Sequence, residues 1–514
     1  MWICLVGLLG QTSFFHYPAI LPDWPEGAHA WRQADALSQT MQFHEAPDRP
    51  FFRPAMHFIH PDAGHGLGAG EFTGSYWFNA RLWSWLGAES PWPWTLRVTH
   101  MVVWLAGLLA LFAWSRRLGR NPWLAIFLPW LIQASPVAAF YAPSLLVNAM
   151  GLAFVFIAWW AAGRGRWLLV TMALASAMLF RPTMALGLVP LGLLAWREGH
   201  WRSAWRSAIP AIGVALCWVI WARAYNDTTG SVYFLTSISP LTEVLASGRA
   251  SEFYTLFVDV QLQEVFPSPV RWAGLLALGV LGVQVVRSRE NRFWAGWTAA
   301  TLFAVLGYIY MWFGRLNHHD YYLLDVLVVV PVLVLSLGQT LRAHRPHTLL
   351  LVVVGGAVLW STLASRDRTA VKWGLPGAPS RSVHVSPWEI SMWRDHHALW
   401  RRRFGGMDSL ASRWSALGVG EEAVLVCMPD ASPNIALTRL GRKGFTNLYD
   451  NDLRDGARVA RFAELGATHL VVLDPGLLTQ GLWNDVSMTP LDTAGAVWLF
   501  SLHHEHRTGP QREE

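Results

Sequence analysis

The chain alternates long apolar runs with short connections that carry arginine. Runs near the roughly 20 residues needed to cross a bilayer lie at 1–20, 98–115, 122–138, 143–163, 166–180, 182–198, 206–224, 269–286, 293–313, 320–340 and 346–364. They predict a polytopic α-helical membrane protein with eleven transmembrane helices. The 166–180 run is short, and Arg181-Pro182 beside it is also compatible with one kinked element, which would leave ten spans. The connections favour eleven. Arg116, Arg117, Arg120, Arg164, Arg166, Arg197, Arg202, Arg206, Arg287, Arg289, Arg292, Arg342 and Arg345 follow the even-numbered runs, with only Glu198 and Glu290 beside them. Basic residues near span ends resist translocation, so this face and the N-terminus are expected to be cytoplasmic. Segments 21–97 and 225–268 and the chain after 364 then lie on the outer, periplasmic side, as expected for a bacterial inner-membrane protein.

The pattern divides the chain into a membrane domain, 1–364, with a long first periplasmic loop, 21–97, and a C-terminal periplasmic domain, 365–514. In the latter the apolar runs shorten and alternate. Residues 423–428, 468–473 and 496–502 read as strands, 432–440 and 452–465 as helices, giving a small α/β domain. No GxGxxG follows a strand, so a dinucleotide site is not indicated.

Composition narrows the class. Hydrophobic residues make up 53% and charged residues 14%, against about 25% charged in soluble domains. The net charge of +6 comes from topology-setting arginine clusters rather than a basic stripe, which argues against nucleic acid as a partner. Cys4, Cys217 and Cys427 are far apart and form no CxxC. The N-terminal run has no basic flank and no cleavage site, and reads as a retained but short first span.

The outer loop carries eight acidic residues against five arginines and is where chemistry is expected. Within it Ala30, Ala34, Leu37 and Met41 recur at helical spacing, while Arg32, Asp35 and Gln39 form a polar stripe. This predicts an amphipathic helix on the membrane surface with a solvated Arg32–Asp35 pair. His57, His60, Asp62 and His65 fall within nine residues and are weak candidates for a divalent metal site. Most of the Trp near span ends read as interfacial anchors, while an indole near Trp31 offers a face for a sugar ring.

Several strings occur in the order used by one family. They are Trp31-Arg32-Gln33-Ala34-Asp35 after the first span; Glu71-Phe72 before Tyr76 and a Leu82-Trp83-Ser84-Trp85-Leu86-Gly87 end; Ser135-Pro136 with Tyr141 and Asn148; His318-His319-Asp320-Tyr321-Tyr322; and Asp430-Ala431-Ser432-Pro433-Asn434 with Gly466-Ala467-Thr468-His469-Leu470. Together they resemble the GT-C membrane glycosyltransferases of the protein-mannosyltransferase and aminoarabinose-transferase group. Thr73 stands where that family has Pro, and Asn148 where relatives often have Asp.

The resemblance implies a polyprenyl-phosphate-linked sugar as donor, transfer on the outer face to a lipid, glycan or protein acceptor, and a catalytic carboxylate in the first loop. Asp35 is the matching base and Glu71 the second acidic residue. An alignment to the aminoarabinose branch instead puts His29 at the position of its Asp. His29, Trp31 and Arg32 are expected near the substrate. Arg181 and Arg315, with His318, His319, Tyr321 and Tyr322, are the candidates for the donor phosphate; Arg315 and His319, four apart, are expected to share a helix face. No cofactor is firmly implied. A flippase or transporter of lipid-linked saccharide, a polysaccharide polymerase or ligase, and a non-catalytic scaffold remain the other readings.

Overall fold

The computed structural model describes residues 1–87, 93–119, 121–231, 238–286, 288–316, 319–341, 346–448, 456–480 and 487–502. Glu89, Arg120, Arg287, His318, Arg342, Arg345 and the first residues of the expected 452–465 helix lie outside the described residues. Contacts gather the chain into two compact units. One comprises Met1–Asp23, Trp94–Trp221 and Leu235–Ser391; the other Trp24–Pro93, Ala222–Phe234 and Met392–Glu514. The expected boundary at 364 falls inside the helix Pro346–Lys372, and from Trp24 the first outer segment belongs to the second unit.

The first unit is helical throughout, with helix over most of each apolar run. Among the described residues, Pro93–Gly119, Trp201–Thr229, Arg289–Leu316, Asp320–Thr340 and Thr348–Lys372 are long and apolar enough to cross a membrane. Ala250–Val265 and Ser268–Gln284, bent by 86°, would add a sixth as a pair. Trp2–Phe14, Pro122–Gln133, Asn148–Gly163 and Trp167–Phe180 are apolar but shorter, so helix length alone gives fewer crossings than the eleven runs. Local signals explain the breaks. Asn121 caps Pro122–Gln133, its side chain accepting from the Trp123 and Leu124 amides at 2.9 and 3.2 Å, with Pro122 at the first helical position. Arg181 is extended (φ −156°, ψ 108°) between Trp167–Phe180 and the 3-10 segment Pro182–Gly187, which makes the two flanking elements separate. Gly107 is needed for close packing, since a Cβ there would sit 2.5 Å from the Ala153 backbone.

The second unit is built on a seven-stranded sheet of order β2-β1-β4-β3-β5-β7-β6. Its strands are β1 (Ala55–His60), β2 (His65–Leu67), β3 (Leu425–Met428), β4 (Gly444–Thr446), β5 (His469–Val472), β6 (Met488–Ala494) and β7 (Val497–Leu502). Strands β3, β5 and β7 form where the apolar runs predict them, as do the helices Ile435–Leu440 and Gly456–Glu464. β1 pairs parallel to β4, so the outer loop completes the C-terminal sheet. Alternation sorts the side chains onto two faces. Leu425, Cys427, Val471, Val497 and Leu499 pack with Met407, Leu410, Trp414 and Leu437. Val426, Met428, Leu470, Val472 and Phe500 pack with Phe445, Val459 and Phe462. Both faces of the central strands are covered, which is why residues 423–428 read as a continuous apolar run.

Candidate active site

In the second unit, Gly27 and His29 both take left-handed backbone conformations (φ 75° and 54°) and turn the chain into the helix Ala30–Glu45. The helix does not behave as a surface amphipath. Gln33, Asp35, Ser38, Gln39, Thr40 and Gln42 are all buried. The helix Gly74–Trp85, strand β1 and the helix Ile435–Leu440 pack around it. Two of its polar groups turn back on the helix and the segment before it: Thr40 Oγ1 donates to the Ala36 carbonyl at 2.8 Å and Gln33 Nε2 to the Ala28 carbonyl at 3.2 Å.

The expected solvated Arg32–Asp35 pair is replaced by a different arrangement. Arg32 Nη2 donates to Glu71 Oε1 at 3.2 Å, and the Tyr76 hydroxyl donates to Glu71 Oε2 at 2.8 Å, so both oxygens of Glu71 are engaged. Asp35, 5% exposed, accepts at Oδ1 from Asn434 Nδ2 at 2.8 Å. Burial pushes its carboxyl up to about 7; the Arg32 charge and the bond from Asn434 hold it down, and the Glu71 charge raises it. Arg32, Asp35, Gln39, Met56, Glu71 and Tyr76 line one small cleft. Trp31 and His29, at the start of the helix, are half-buried. A carboxylate that exchanges its proton near neutrality, next to a clamped ion pair, is suited to general acid–base chemistry.

Asn434 connects this cleft to β1. Besides Asp35, its Oδ1 accepts from the Phe58 amide at 3.0 Å and from Ser38 Oγ at 3.2 Å. Asn434→Ala is therefore expected to cost about 2–4 kcal/mol by stranding buried polar groups. It should also raise the Asp35 pKa further. Thermal unfolding across pH checks both, the second as a stability loss that extends above pH 7.

The four candidate metal residues do not converge. His57 is buried with Nδ1 2.8 Å from Ser38 Oγ, and the odd spacing of His57 and His60 along β1 sends them to opposite faces. His60 Nδ1 accepts from the Asp62 amide at 3.3 Å, His65 Nδ1 from the Leu67 amide at 3.4 Å, and Asp62 pairs with Arg461 at 2.8 Å. Among the described residues no three His, Cys, Asp or Glu side chains gather as a metal ion would require.

In the first unit the structure brings Arg181, His319, Tyr321 and Tyr322 together. Arg181 Nε donates to both oxygens of Asp325 at 2.9 and 2.8 Å, and Nη2 to the Tyr308 hydroxyl at 3.1 Å. Its guanidinium lies 3.9 Å from the Tyr322 ring centroid, and the His319 ring is 5.4 Å from each of Tyr321 and Tyr322. Thr183 also donates to Asp325. Arg315 and His319 do not share a helix face: the helix Arg289–Leu316 ends between them, and His319 is extended at φ −141°. His318 lies outside the described residues.

The sequence reading missed Asp325, Tyr308 and a neighbouring network. Asp320 accepts from Tyr141 and from Lys372 Nζ, the latter at 2.9 Å. Lys372 lies 2.9 Å from Glu264, and Arg368 bridges Glu264 and Glu389 at 2.7 and 3.2 Å. Two signals were available. Asp325 is an acid inside the 320–340 apolar run, a position that demands a partner. Lys372 is one of only two lysines, with Lys443, in a chain whose other basic residues are arginine.

No family model matches this sequence, and no curated protein matches it. Solved structures do. The crystal structure of ArnT from Cupriavidus metallidurans bound to undecaprenyl phosphate superposes with a TM-score of 0.55 at 13% identity, covering 99% of each chain. ArnT from the same organism in the apo state gives a TM-score of 0.53 at 11% identity, covering 97% of each chain. Nearly end to end, apolar helices and sheet domain together, this chain has the membrane-protein fold of ArnT.

Proposed function

We propose that this protein is a membrane glycosyltransferase that moves a sugar from a polyprenyl-phosphate donor to an acceptor hydroxyl on the periplasmic side of the inner membrane. Asp35 is the base in this reading. The observation that carries it is the buried Asp35 carboxyl, pushed up to about 7, in a cleft with the Arg32–Glu71 pair. The fold supports the lipid part of the donor, since one matching ArnT structure is bound to undecaprenyl phosphate.

In the step proposed, an acceptor oxygen attacks the anomeric carbon and the carbon–oxygen bond to phosphate breaks through an oxocarbenium-like state. The leaving phosphate takes the electron pair, and Asp35 takes the acceptor's proton. Glu71 holds Arg32 and Tyr76 in place through its two oxygens. Arg181, whose charge is met by Asp325, orients Tyr322 beneath its guanidinium. The donor phosphate is assigned to Arg315 with His318, His319 and the hydroxyls of Tyr321 and Tyr322; Trp31 and His29 are assigned to the sugar. The acceptor is a lipid, glycan or protein hydroxyl.

Glu71→Gln tests the electrostatic part. It removes a charge that raises the Asp35 pKa and releases Arg32 to lower it, so the pH midpoint of transfer should move below about 7. A pH–rate profile with a radiolabelled polyprenyl-phosphate sugar measures the shift; an unchanged midpoint would remove Asp35 from the titration that controls the rate.

A further inference from the structure

The helical unit buries an arginine to which the proposed reaction gives no task. Arg97, in the helix Pro93–Gly119, has no exposed surface. Its Nη1 donates to the Ile20 carbonyl, and its guanidinium lies 4.8 Å from the Trp373 ring centroid. Nε and Nη2 have no hydrogen-bond partner among the described residues. These two nitrogens form one edge of the guanidinium, the fork that closes on two oxygens of a carboxylate or phosphate. Among the described residues, the acid whose charge reaches Arg97 is Asp23, which is exposed.

Two further buried groups neighbour Arg97, one on the same helix and one on the ring it stacks on. His100, three residues along the same helix, is 1% exposed, with Nδ1 3.1 Å from the Ser144 carbonyl and Nε2 without a partner among the described residues. A carbonyl can only accept, so Nδ1 carries the hydrogen and Nε2 presents a lone pair. Trp373 Nε1, on the ring under the guanidinium, is also buried without a partner among the described residues. Buried polar groups are paired in the great majority of cases, and an unpaired buried cation is costly. A two-donor fork, an indole N–H and a lone-pair acceptor together match an oxyanion that still carries one hydroxyl.

We propose that Arg97, His100 and Trp373 form a buried binding site for a singly protonated phosphate, with two oxygens on the Arg97 fork, a bond from the Trp373 indole, and the phosphate hydroxyl donating to His100 Nε2. Inorganic phosphate and a lipid phosphate monoester share this chemistry. Sulfate has the same shape and charge range but no hydroxyl at neutral pH. The site stands apart from the glycosyl-transfer reading because it is tested by binding and not by turnover.

The test uses the full-length protein in detergent, following thermal unfolding with inorganic phosphate, a polyprenyl monophosphate or sulfate. A rise in Tm of about 3 °C at saturation is expected with at least one phosphate and not with sulfate. A shift with both phosphates identifies a site open to the free ion; a shift with the lipid alone identifies a headgroup site here if Arg97→Gln removes it, and one that Arg97→Gln leaves unchanged belongs to the donor-phosphate residues and overturns the proposal. Arg97→Gln should abolish the shift. Trp373→Phe, which keeps an aromatic face and loses the N–H, and His100→Gln should each weaken phosphate binding about tenfold, and they carry the test if Arg97→Gln does not fold. No shift with either phosphate, an equal shift with sulfate, or unchanged binding in the folded variants overturns the proposal.

Discussion

Asp35→Asn is expected to lower sugar transfer by about a hundredfold or more while the protein still folds. The substitution keeps size and keeps an oxygen for Asn434 Nδ2, which donates to Asp35 at 2.8 Å, but removes the proton acceptor. In the wild type the rate should rise with pH and level off above about 7, because Asp35 acts as a base only when ionised. The same residue gives an independent stability signature. Its carboxyl rises from 3.8 to about 7 on folding, so the folded state holds this proton more tightly than the unfolded chain. Stability is then complete below about pH 4 and is lost as pH climbs through about 7. By linkage the loss is at most about 4 kcal/mol, less once the site relaxes. Asp35→Asn has no such proton to lose. Its Tm should match the wild type at pH 4 and exceed it at pH 8, while transfer collapses. A variant slower and less stable at every pH would point to misfolding instead.

Asp325→Asn should have the largest effect on stability. Arg181 is buried, and both oxygens of Asp325 lie within 2.9 Å of its Nε. Removing one charge leaves the guanidinium unpaired in a low-dielectric surrounding, at about 3–5 kcal/mol. The pair also fixes the ring of Tyr322, 3.9 Å from the guanidinium, and Thr183, which donates to Asp325. The expected result is a sharply lower Tm and poor yield in detergent. Arg181→Met with Asp325→Leu, which removes both charges, should recover much of the loss. If Asp325→Asn unfolds like the wild type, the pair is not what holds this part of the helical unit together.

Much of the architecture follows from period and sign. The continuous apolar run 423–428 gives β3 because both faces of that strand are covered, and the apolar runs place the helices. β1 was not legible, because its sequence mixes two histidines with apolar residues and its partner β4 lies nearly four hundred residues on. The spacing predicts the helix Ala30–Glu45, but the polar stripe that predicts a solvated face is covered. Periodicity reports polarity, not burial: Ser38, Gln39, Thr40 and Gln42 are polar and buried because neighbouring elements cover them. For the same reason the local Arg32–Asp35 spacing suggested a pair, whereas the folded chain gives Arg32 to Glu71 and Asp35 to Asn434. Motifs point to Asp35, Glu71, Tyr321 and Tyr322 as candidates, and the end of the 166–180 run to Arg181. Their partners Asn434, Tyr76, Asp325 and Tyr308 required the fold.

The most direct test of Asp35 as the base of a lipid-linked glycosyl transfer is consumption of radiolabelled polyprenyl-phosphate sugars by purified wild type and Asp35→Asn, measured from pH 5 to pH 9. At least one donor should be consumed by the wild type with a midpoint near 7, and by Asp35→Asn at a rate about a hundredfold lower with no such midpoint. Equal consumption by both proteins, or no consumption of any donor by a wild type that remains folded, would contradict it.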